Sequence, residues 1–426
     1  MSAPARLGIS YGNLSLADYV ALNYMVMHLG VLEKFNMYGT RCLTNEEAEI
    51  LAPTMVVSQQ ITFSQCSFEN GAVSVLASAL CKGTCKNLDL SNCRLNVGQI
   101  QSLCTGLHSC KLKSLNLSNT GLTATSCAEL EPALCSVTSQ LNVLELYGNK
   151  IGDEGLKKIC EALQSPHCAI ESLLLDSCGL TAASMDHLST AMCSGHSRLQ
   201  TLNLSRNEVR DEGVEVLAKA LQHPLCKLES LRLYDCWLSE GCCPHLMESL
   251  MSPHCSLVEI DLSVNEFGQE GALMLCQALK RPGCPIEKLS LVRCELTEVV
   301  FVELAAMLKK GSPPLKYLAV GLNKVGDEGV RHLLVALRHP SCELEELDVE
   351  MTELTDACIE DLCAAVKDSK TLKKLQLQNN SLTDVSVPAL VSVAKASPNM
   401  EQLNVKYNDF SEDMFEIFET CSKVRY

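Results

Sequence analysis

Aromatic residues are scarce in this chain. They make up 4% of its 426 residues and include one tryptophan, whereas apolar residues as a whole reach 47%. The core must therefore be built from short aliphatic side chains. Length alone would suggest two or three globular domains. A repeat array is the exception, because each unit packs only on its neighbours and the chain lengthens without splitting.

Positive charge is also in short supply. Lys and Arg number 35 against 51 Asp and Glu, a formal net charge of −16. Nucleic acid and anionic membranes are bound through clustered basic residues, so both are disfavoured as ligands. A basic protein partner is favoured, since the field of the chain would accelerate its approach. The alternative is that the acidity only keeps a long chain in solution.

Segments that would direct the chain out of the cytoplasm are not evident. No apolar run approaches the ~18–20 residues of a membrane helix, and the opening MSAPARLGIS lacks the apolar region of a signal peptide. The cysteines number 25, an odd count. So many thiols without a secretory address indicate a reducing compartment, and we expect a cytoplasmic protein.

Motifs that carry chemistry are missing as well. The chain has no G-x-x-x-x-G-K-[ST] loop, no H-E-x-x-H and no C-x2-C pair. Its ten histidines are scattered, and four of them (His167, His223, His254 and His339) lie in joints between predicted helices and strands. We expect no catalytic residue, metal site, cofactor or bound nucleotide.

One pattern dominates the chain, an internal repeat of the form LxxLxLxxN/C. It occurs fourteen times, at spacings of 26, 27 and 27 residues, then 29 eight times, then 28 twice. Its first position falls at Leu32, Ser58, Cys85, Leu112, Leu141, Ile170, Leu199, Leu228, Leu257, Ile286, Leu315, Leu344, Leu372 and Met400.

Each copy predicts one strand followed by one helix. In the copy that begins at Leu141, Leu144 and Leu146 alternate as in a strand. Asp153 is placed as the N-cap of the helix that follows. The helix stripe then runs through Leu156, Ile159, Cys160 and Leu163. Stacked copies predict an α/β leucine-rich-repeat solenoid, a horseshoe with parallel strands on the concave face and helices on the convex face.

The position after the strand alternates between two residue types. Asparagine and cysteine follow each other through Asn149, Cys178, Asn207, Cys236, Asn265, Cys294 and Asn323. A buried asparagine can pair with turn backbone groups, and a buried cysteine fills a similar volume as a small hydrophobe. The spacing of the joint and post-strand cysteines follows the repeat, which favours structural packing.

These two alternating unit types resemble the ribonuclease-inhibitor class of leucine-rich repeats. The resemblance covers about residues 30 to 426. Residues 1–31 do not fit the template. They predict a capping helix with Leu16, Tyr19, Val20 and Tyr24 on one side, and they resemble the junction that precedes the repeats in NLR (NACHT, leucine-rich-repeat) receptors. We therefore divide the chain into 1–31, a cap or junction, and 32–426, about fourteen repeats including a C-terminal cap.

The third, fifth and seventh positions of each repeat point into the predicted hollow. With residues just past the strands, they give the candidate partner-binding set. It comprises Glu145, Tyr147, Asp176, Arg206, Arg232, Tyr234, Asp235, Trp237, Glu259, Asp261, Tyr317, Glu346, Asp348, Glu350 and Tyr407. The stretch from Tyr147 to Trp237 forms a middle patch, and Glu346, Asp348 and Glu350 form an acidic one. The alternative for each patch is an ordinary solvated surface.

The resemblance implies a protein-binding function with several variants. The first is the ligand-sensing or autoregulatory repeat domain of an NLR-like innate-immune regulator. The second is a cytosolic ribonuclease inhibitor. That family engages its target partly through aromatic and acidic residues of the last units, which only Tyr407 and Asp409 match here. The family also shows a run of Trp at the exposed strand position, where this chain has Leu174, Arg232, Asp261, Ser290 and Ala319. A structural scaffold is the third variant. An enzyme would require a pocket within residues 1–60.

Overall fold

The computed structural model describes residues 5–10, 14–39 and 41–426. Two compact units make up the chain. The first unit is Met1–Glu208 with His223–Leu228, and the second unit is Val209–Gln222 with Glu229–Tyr426.

In the first unit, strands and helices alternate along the chain. The strands are β1 (Arg6–Ser10), β2 (Leu32–Tyr38), β3 (Cys42–Leu43), β4 (Ser58–Ser64), β5 (Ser67–Phe68), β6 (Asn87–Asp89), β7 (Ser114–Asn116), β8 (Val143–Glu145), β9 (Ser172–Leu174) and β10 (Thr201–Asn203). The helices are α1 (Leu16–Leu29), α2 (Asn45–Val57), α3 (Asn70–Lys82), α4 (Val97–Leu107), α5 (Ala124–Leu134), α6 (Gly152–Leu163) and α7 (Met185–Met192), with a 3-10 turn at Ala182–Ser184. A parallel sheet follows the order β1-β2-β4-β6-β7-β8-β9-β10, and β3 pairs with β5 apart from it.

The second unit continues the same alternation. Its helices are α8 (Arg210–Leu221), α9 (Cys243–Met251), α10 (Gly268–Leu279), α11 (Glu298–Lys310), α12 (Gly326–Leu337), α13 (Ile359–Asp368), α14 (Val387–Ala396) and α15 (Phe415–Glu419). Its strands are β11 (Ser230–Arg232), β12 (Glu259–Asp261), β13 (Lys288–Ser290), β14 (Tyr317–Ala319), β15 (Glu346–Asp348), β16 (Lys374–Gln376), β17 (Gln402–Asn404) and β18 (Val424–Arg425). Four 3-10 turns lie at Glu240–Cys242, Asp356–Cys358, Asp384–Ser386 and Glu412–Met414. The strands form a parallel sheet in chain order.

Both units have the core that the repeat predicts. Leu144 and Leu146 of one copy are fully buried, and so are Leu156 and Ile159 of the helix that follows. Each strand therefore buries one side against the helices and leaves its third, fifth and seventh repeat positions on the other side, which we call the strand face. The predicted class, an α/β leucine-rich-repeat solenoid of parallel strands and helices, is confirmed.

The alternating asparagines and cysteines hold the turns after the strands. Asn207 is 3% exposed, accepts hydrogen bonds from the backbone N–H groups of Cys178 and Leu180 at 3.0 Å each, and donates to the carbonyl of Leu175 at 2.8 Å. In the intervening copies a thiol takes this place, and the Cys178 Sγ donates to the carbonyl of Leu146 at 3.2 Å. Burial raises the pKa of the Cys178 thiol to about 12. These contacts agree with the packing role inferred for the cysteines, all 25 of which lie in the described part of the chain as free thiols.

The predicted N-cap at Asp153 is wrong. Helix α6 begins at Gly152, and Ile151 occupies the N-cap position. The Asp153 carboxylate instead accepts hydrogen bonds from the backbone N–H of Thr181, at 2.8 Å, and from its hydroxyl, at 2.7 Å. A helix-start aspartate thus joins its repeat to the next one, because the turn before the following helix stacks directly beside it.

The N-terminal helix also buries a different side from the one expected. In α1 the buried side chains are Tyr19, Leu22 and Val26, spaced to face α2, whereas Val20 and Tyr24 are exposed. Strand β1 pairs in parallel with β2, so residues 6–29 supply a strand and a helix as a repeat does. The division of the chain at residue 32 stays a prediction, and residues 1–4, 11–13 and 40 lie outside the described residues.

Candidate functional site

The strand face of the second unit carries two rows of polar side chains in register. Its third positions place Glu259, Lys288, Tyr317, Glu346 and Lys374 side by side on β12 to β16. Neighbouring parallel strands lie ~4.8 Å apart, so each side chain in the row is within reach of the next.

The fifth positions form the adjacent row. They run through Arg232, Asp261, Ser290, Ala319 and Asp348 on β11 to β15. The two central members, Ser290 and Ala319, are the smallest. The aspartates lie on either side of them, so the middle of the row is lower than its ends.

This difference in side-chain size leaves an open depression of about 550 Å³, which we call the Tyr317 depression. It is lined by Arg232, Glu259, Ile260, Asp261, Lys288, Leu289, Ser290, Lys316, Tyr317, Glu345 and Glu346. Its volume is in the range of ligand pockets, ~300–1,000 Å³. It is large enough to receive one or two long side chains of a partner.

Two carboxylates of the rows are neutralised by neighbours. Glu259 accepts hydrogen bonds from Arg232 at 2.8 Å and lies 3.4 Å from Lys288. Burial alone would raise the pKa of Glu259, but the hydrogen bond and charge of Arg232, with Lys288, lower it. Glu346 lies 3.5 Å from the Lys374 ammonium and accepts from Gln376 at 3.2 Å.

Asp348 is not neutralised in this way. Burial raises its pKa to about 6, Glu350 and Glu346 add to the shift, and the hydrogen bond donated by the Glu350 backbone N–H at 2.9 Å opposes it. Among residues 5–10, 14–39 and 41–426, neither Asp348 nor Asp261 has a Lys or Arg nitrogen within 4.0 Å.

Tyr317 lies between these carboxylates. Its pKa is raised to about 12, first by burial and then by the negative charges of Asp348, Glu346, Asp261 and Glu259. The phenol therefore stays protonated at neutral pH. An aromatic ring flanked by unneutralised carboxylates favours a guanidinium or ammonium group over an anion.

The predicted acidic patch is arranged along a strand and the turn after it. Glu346, Asp348 and Glu350 occupy alternate positions on one side, and Glu350 accepts a hydrogen bond from Asn379 at 2.6 Å. In the described part of the chain, no group of three or more His, Cys, Asp or Glu side chains is arranged to hold a metal ion. The three carboxylates of the patch are suited to cationic side chains of a partner.

The predicted middle patch has members in both units. In the first unit, the Arg206 guanidinium lies 3.4 Å from Asp176, and Tyr147 is 38% exposed. Glu145 is half-buried, and burial, followed by the charge of Asp89, raises its pKa.

In the second unit, Tyr234 and Asp235 are half-buried and Trp237 is 68% exposed. Tyr407, at the other end of that unit, is 78% exposed. Asp235, Trp237 and Tyr407 have left-handed backbone conformations, with φ of 52°, 60° and 59°.

The site also contains residues that the sequence reasoning missed. Lys288, Lys316 and Ser290 line the depression, and Ala319 is the neighbour of Ser290 in the same row. The signal for the lysine at 288 was present, because it occupies a third position of the template. The small residues were noted only as the absence of Trp, although their size is what opens the space beside Tyr317.

A family model described as Leucine Rich repeat matches four segments of the chain, residues 140–160, 197–218, 254–276 and 311–334. Two relatives are similar over 251 residues each, 59% of this chain. The bovine (Bos taurus) NACHT, LRR and PYD domains-containing protein 9 is 35% identical, and the porcine (Sus scrofa) ribonuclease inhibitor is 33% identical. The matched part spans 19% of the bovine protein and 54% of the porcine one.

Among solved structures, a chain of the yeast Rad7 and Elc1 complex shares the fold, with a TM-score of 0.51 at 17% identity over 94% of this chain and 86% of that chain. Leucine-rich-repeat families are typically binding modules, and these matches indicate no catalytic family. No helix among the described residues is both long and apolar enough to cross a membrane. The chain carries leucine-rich repeats and is similar both to NACHT, LRR and PYD domains-containing proteins and to ribonuclease inhibitor, which agrees with the resemblance seen in its repeat pattern.

Proposed function

We propose that this chain is a protein-interaction module that acts as the ligand-sensing or autoregulatory repeat domain of an NLR-like regulator in the cytoplasm. The observation that carries the proposal is the position of Tyr317, which lines the depression and lies among the carboxylates of Asp348, Glu346, Asp261 and Glu259. Similarity to a part of the bovine NACHT, LRR and PYD domains-containing protein 9, 19% of its length, supports the NLR-like role.

The proposed contact places a Lys or Arg side chain of the partner against Tyr317, between Asp261 and Asp348. The ring offers its face to the cation, and the two carboxylates accept its hydrogen bonds. A partner cation would also relieve the cost of holding Asp348 ionised among Glu346 and Glu350. The net charge of −16 would accelerate the encounter with a basic protein.

The other candidate residues take supporting places in this proposal. Arg232 and Glu259 border the depression as a neutral pair. Glu350 and Tyr407 extend the acidic and aromatic surface along the second unit. The candidates of the first unit, Glu145, Tyr147, Asp176 and Arg206, contribute a separate contact.

Photo-crosslinking tests the proposal directly. A benzophenone amino acid at Tyr317 should crosslink a partner protein in cells, at a basic segment of that partner. The same amino acid at Val335, which is 43% exposed on helix α12 of the same unit, is the control. Equal crosslinking from both positions, or none from Tyr317, would overturn the strand-face proposal.

Site variants then test the chemistry. With the crosslinked partner purified, Asp348→Asn and Tyr317→Ala should each weaken binding by about tenfold or more. The wild-type affinity should fall as salt rises, because the contact is ionic. An affinity that does not depend on salt and is unchanged in both variants would contradict the proposed contact.

Ribonuclease inhibition is the second candidate function, and 33% identity to the porcine ribonuclease inhibitor over 251 residues favours it. A pancreatic-type ribonuclease is a basic protein and a suitable probe. Stoichiometric inhibition that is lost in Asp348→Asn would establish this function in place of the first. Unchanged ribonuclease activity at micromolar excess of the protein would end it.

A further inference from the structure

A second surface of the second unit is built at the turns that follow its strands. In every repeat, the residue just before the post-strand Asn, Cys or Thr takes a left-handed conformation. The φ angles at these turn positions lie between 51° and 70°, from Gly39 in the first repeat to Tyr407 in the last. A side chain with a Cβ is strained there, and only Gly, Asn and Asp adopt this region readily.

The first unit fills these turn positions mostly with residues that tolerate the conformation. Gly39, Asn92, Asn119 and Gly148 occupy four of the seven, and the other three are Gln65, Ser177 and Arg206. A second left-handed position, two residues further on, is glycine in two copies of the first unit, at Gly121 and Gly179.

The second unit departs from this pattern in consecutive repeats. Its turn positions carry Val264, Arg293, Leu322 and Met351, with φ of 58°, 51°, 57° and 52°. At the position where the first unit has Gly121 and Gly179, the second unit carries Trp237, Glu295 and Glu353, with φ of 60°, 57° and 66°. We call Trp237, Val264, Arg293, Leu322 and Met351 the turn ridge.

Burial in the core does not offset the backbone strain at these positions. Trp237 is 68% exposed, Met351 is 49% and Leu322 is 39%. At these positions both the backbone strain and the exposure of an apolar side chain to water lower the stability of the protein. Strained backbone and exposed apolar patches are both typical of binding sites. Trp, Met and Arg are also the residue types enriched at protein interfaces.

The ridge is continuous along the unit. Each turn donates a backbone hydrogen bond to the next, from Val264 to the carbonyl of Val292 at 2.7 Å, and from Leu322 to the carbonyl of Glu350 at 2.7 Å. Four inter-strand spacings separate the turn of Asp235 from the turn of Met351, a length of roughly 19 Å. A helix of about thirteen residues has the same length.

The centre of the ridge borders a second open depression, of about 560 Å³. Its lining includes Val264, Arg293 and Leu322. It also includes the charged residues Asp235, Glu266, Glu295 and Lys324. Lys324 is already paired with Glu353 at 3.6 Å, so carboxylates outnumber the free cations around the apolar side chains.

From the strained apolar ridge and its acidic border, we propose that the turn ridge binds an amphipathic basic segment of a protein partner, about thirteen residues long. Its apolar side chains pack on Trp237, Leu322 and Met351. Its Lys or Arg residues meet the bordering carboxylates. This inference rests on the proposed protein-binding function but uses a surface other than the Tyr317 depression.

Trp237 is the only tryptophan of the chain, so its fluorescence reports on the ridge directly. The probe is a peptide of about fourteen residues made of leucine and lysine in helical periodicity, and the same peptide with glutamate for lysine is its charge control. The lysine peptide should shift Trp237 emission to shorter wavelength and protect it from acrylamide. The glutamate peptide should do neither.

The ridge variants introduce asparagine, the residue that the chain has at the equivalent turn positions Asn92 and Asn119. Leu322→Asn with Met351→Asn should weaken binding of the lysine peptide by at least about tenfold. Their thermal midpoint should equal or exceed that of the wild type, because asparagine relieves the left-handed strain. The matched control is Val302→Gln, a change at a side chain 41% exposed on helix α11, which should leave binding unchanged.

Each outcome has a distinct meaning. Unchanged Trp237 emission at saturating lysine peptide, or equal binding by wild type and the asparagine variant, would overturn the ridge proposal. Peptide binding that is lost in Tyr317→Ala while Trp237 emission never shifts would also overturn it, and would place the ligand in the strand-face depression instead. A Trp237 shift that persists in Tyr317→Ala supports the ridge independently of the first site.

Discussion

Replacing Asp348 by asparagine should stabilise the protein at neutral pH. The carboxyl has its pKa raised from 3.8 to about 6, chiefly by burial and then by the charges of Glu350 and Glu346. A shift of that size corresponds to about 2 to 3 kcal/mol between the protonated and ionised forms. Asparagine retains an oxygen for the hydrogen bond from the Glu350 backbone N–H and carries no charge.

The pH window follows from the direction of the shift. Between pH 4 and pH 6 the folded state binds more protons at Asp348 than the unfolded state does. This group therefore contributes a stability that is present below about pH 4, falls as pH rises, and is fully lost above about pH 6. The variant has no such dependence. It should match the wild type near pH 4 and exceed it by about 2 to 3 kcal/mol at pH 7.5.

Urea unfolding of both proteins between pH 4 and pH 8, followed by circular dichroism, measures this difference. Glu353→Gln, which removes an exposed carboxylate of the same unit, controls for the loss of one negative charge in a chain of net charge −16. The reasoning would be refuted by parallel stability curves for wild type and Asp348→Asn across this range. An asparagine variant that is less stable at pH 7.5 would show that the carboxylate has a cationic partner in the free protein.

Three further predictions concern the rest of the array. Val264→Asn places asparagine at a turn position where another repeat already has it, at Asn92, and it should raise the free energy of unfolding by about 1 kcal/mol. A lower urea midpoint in this variant would count against strain at that turn. Asn207→Leu should lower the free energy of unfolding by about 3 kcal/mol or more, because two buried backbone N–H groups lose their acceptor. A loss below about 1 kcal/mol would show that the asparagine is not needed for stability. In the native protein, Cys42 and Cys81, the two exposed thiols, should react with a disulfide reagent well before the buried ones, and mass spectrometry of early adducts at other cysteines would contradict this.

The repeat template predicted the strands and helices well, because it specifies both which positions are buried and how far apart they lie in the sequence. Leu144 and Leu146 lie on the buried side of a strand, as the alternation requires, and the helix stripe from Leu156 to Leu163 is buried. The cross-strand pair of Glu259 with Lys288 also follows from the constant 29-residue spacing, which keeps neighbouring strands in register.

The errors arose where a residue acts on the neighbouring repeat. Asp153 has the sequence context of an N-cap, but its carboxylate binds Thr181 of the next copy. The buried side of α1 is set by α2, which covers Tyr19, Leu22 and Val26, and the helix sequence alone does not say where α2 lies. The left-handed φ of Val264 was equally hidden, since nothing in a valine suggests that conformation until the turn is aligned with Asn92 and Asn119.

Two surfaces of the second unit share one physical property: each lowers the stability of the free protein. Asp348 holds a carboxyl among other carboxylates without a cation, and the turn ridge holds Val264, Leu322 and Met351 in a strained conformation, with Val264 half-buried and the other two exposed. At the equivalent turns the first unit has Asn92 and Asn119, so the fold does not require the costly choice. Natural sequences depart from local rules mainly where function compensates the loss. A basic, amphipathic partner would compensate both losses of stability, because its cations neutralise Asp348 and its apolar side chains cover the turn ridge. The stabilising variants Asp348→Asn and Val264→Asn should therefore both bind this partner more weakly than the wild type.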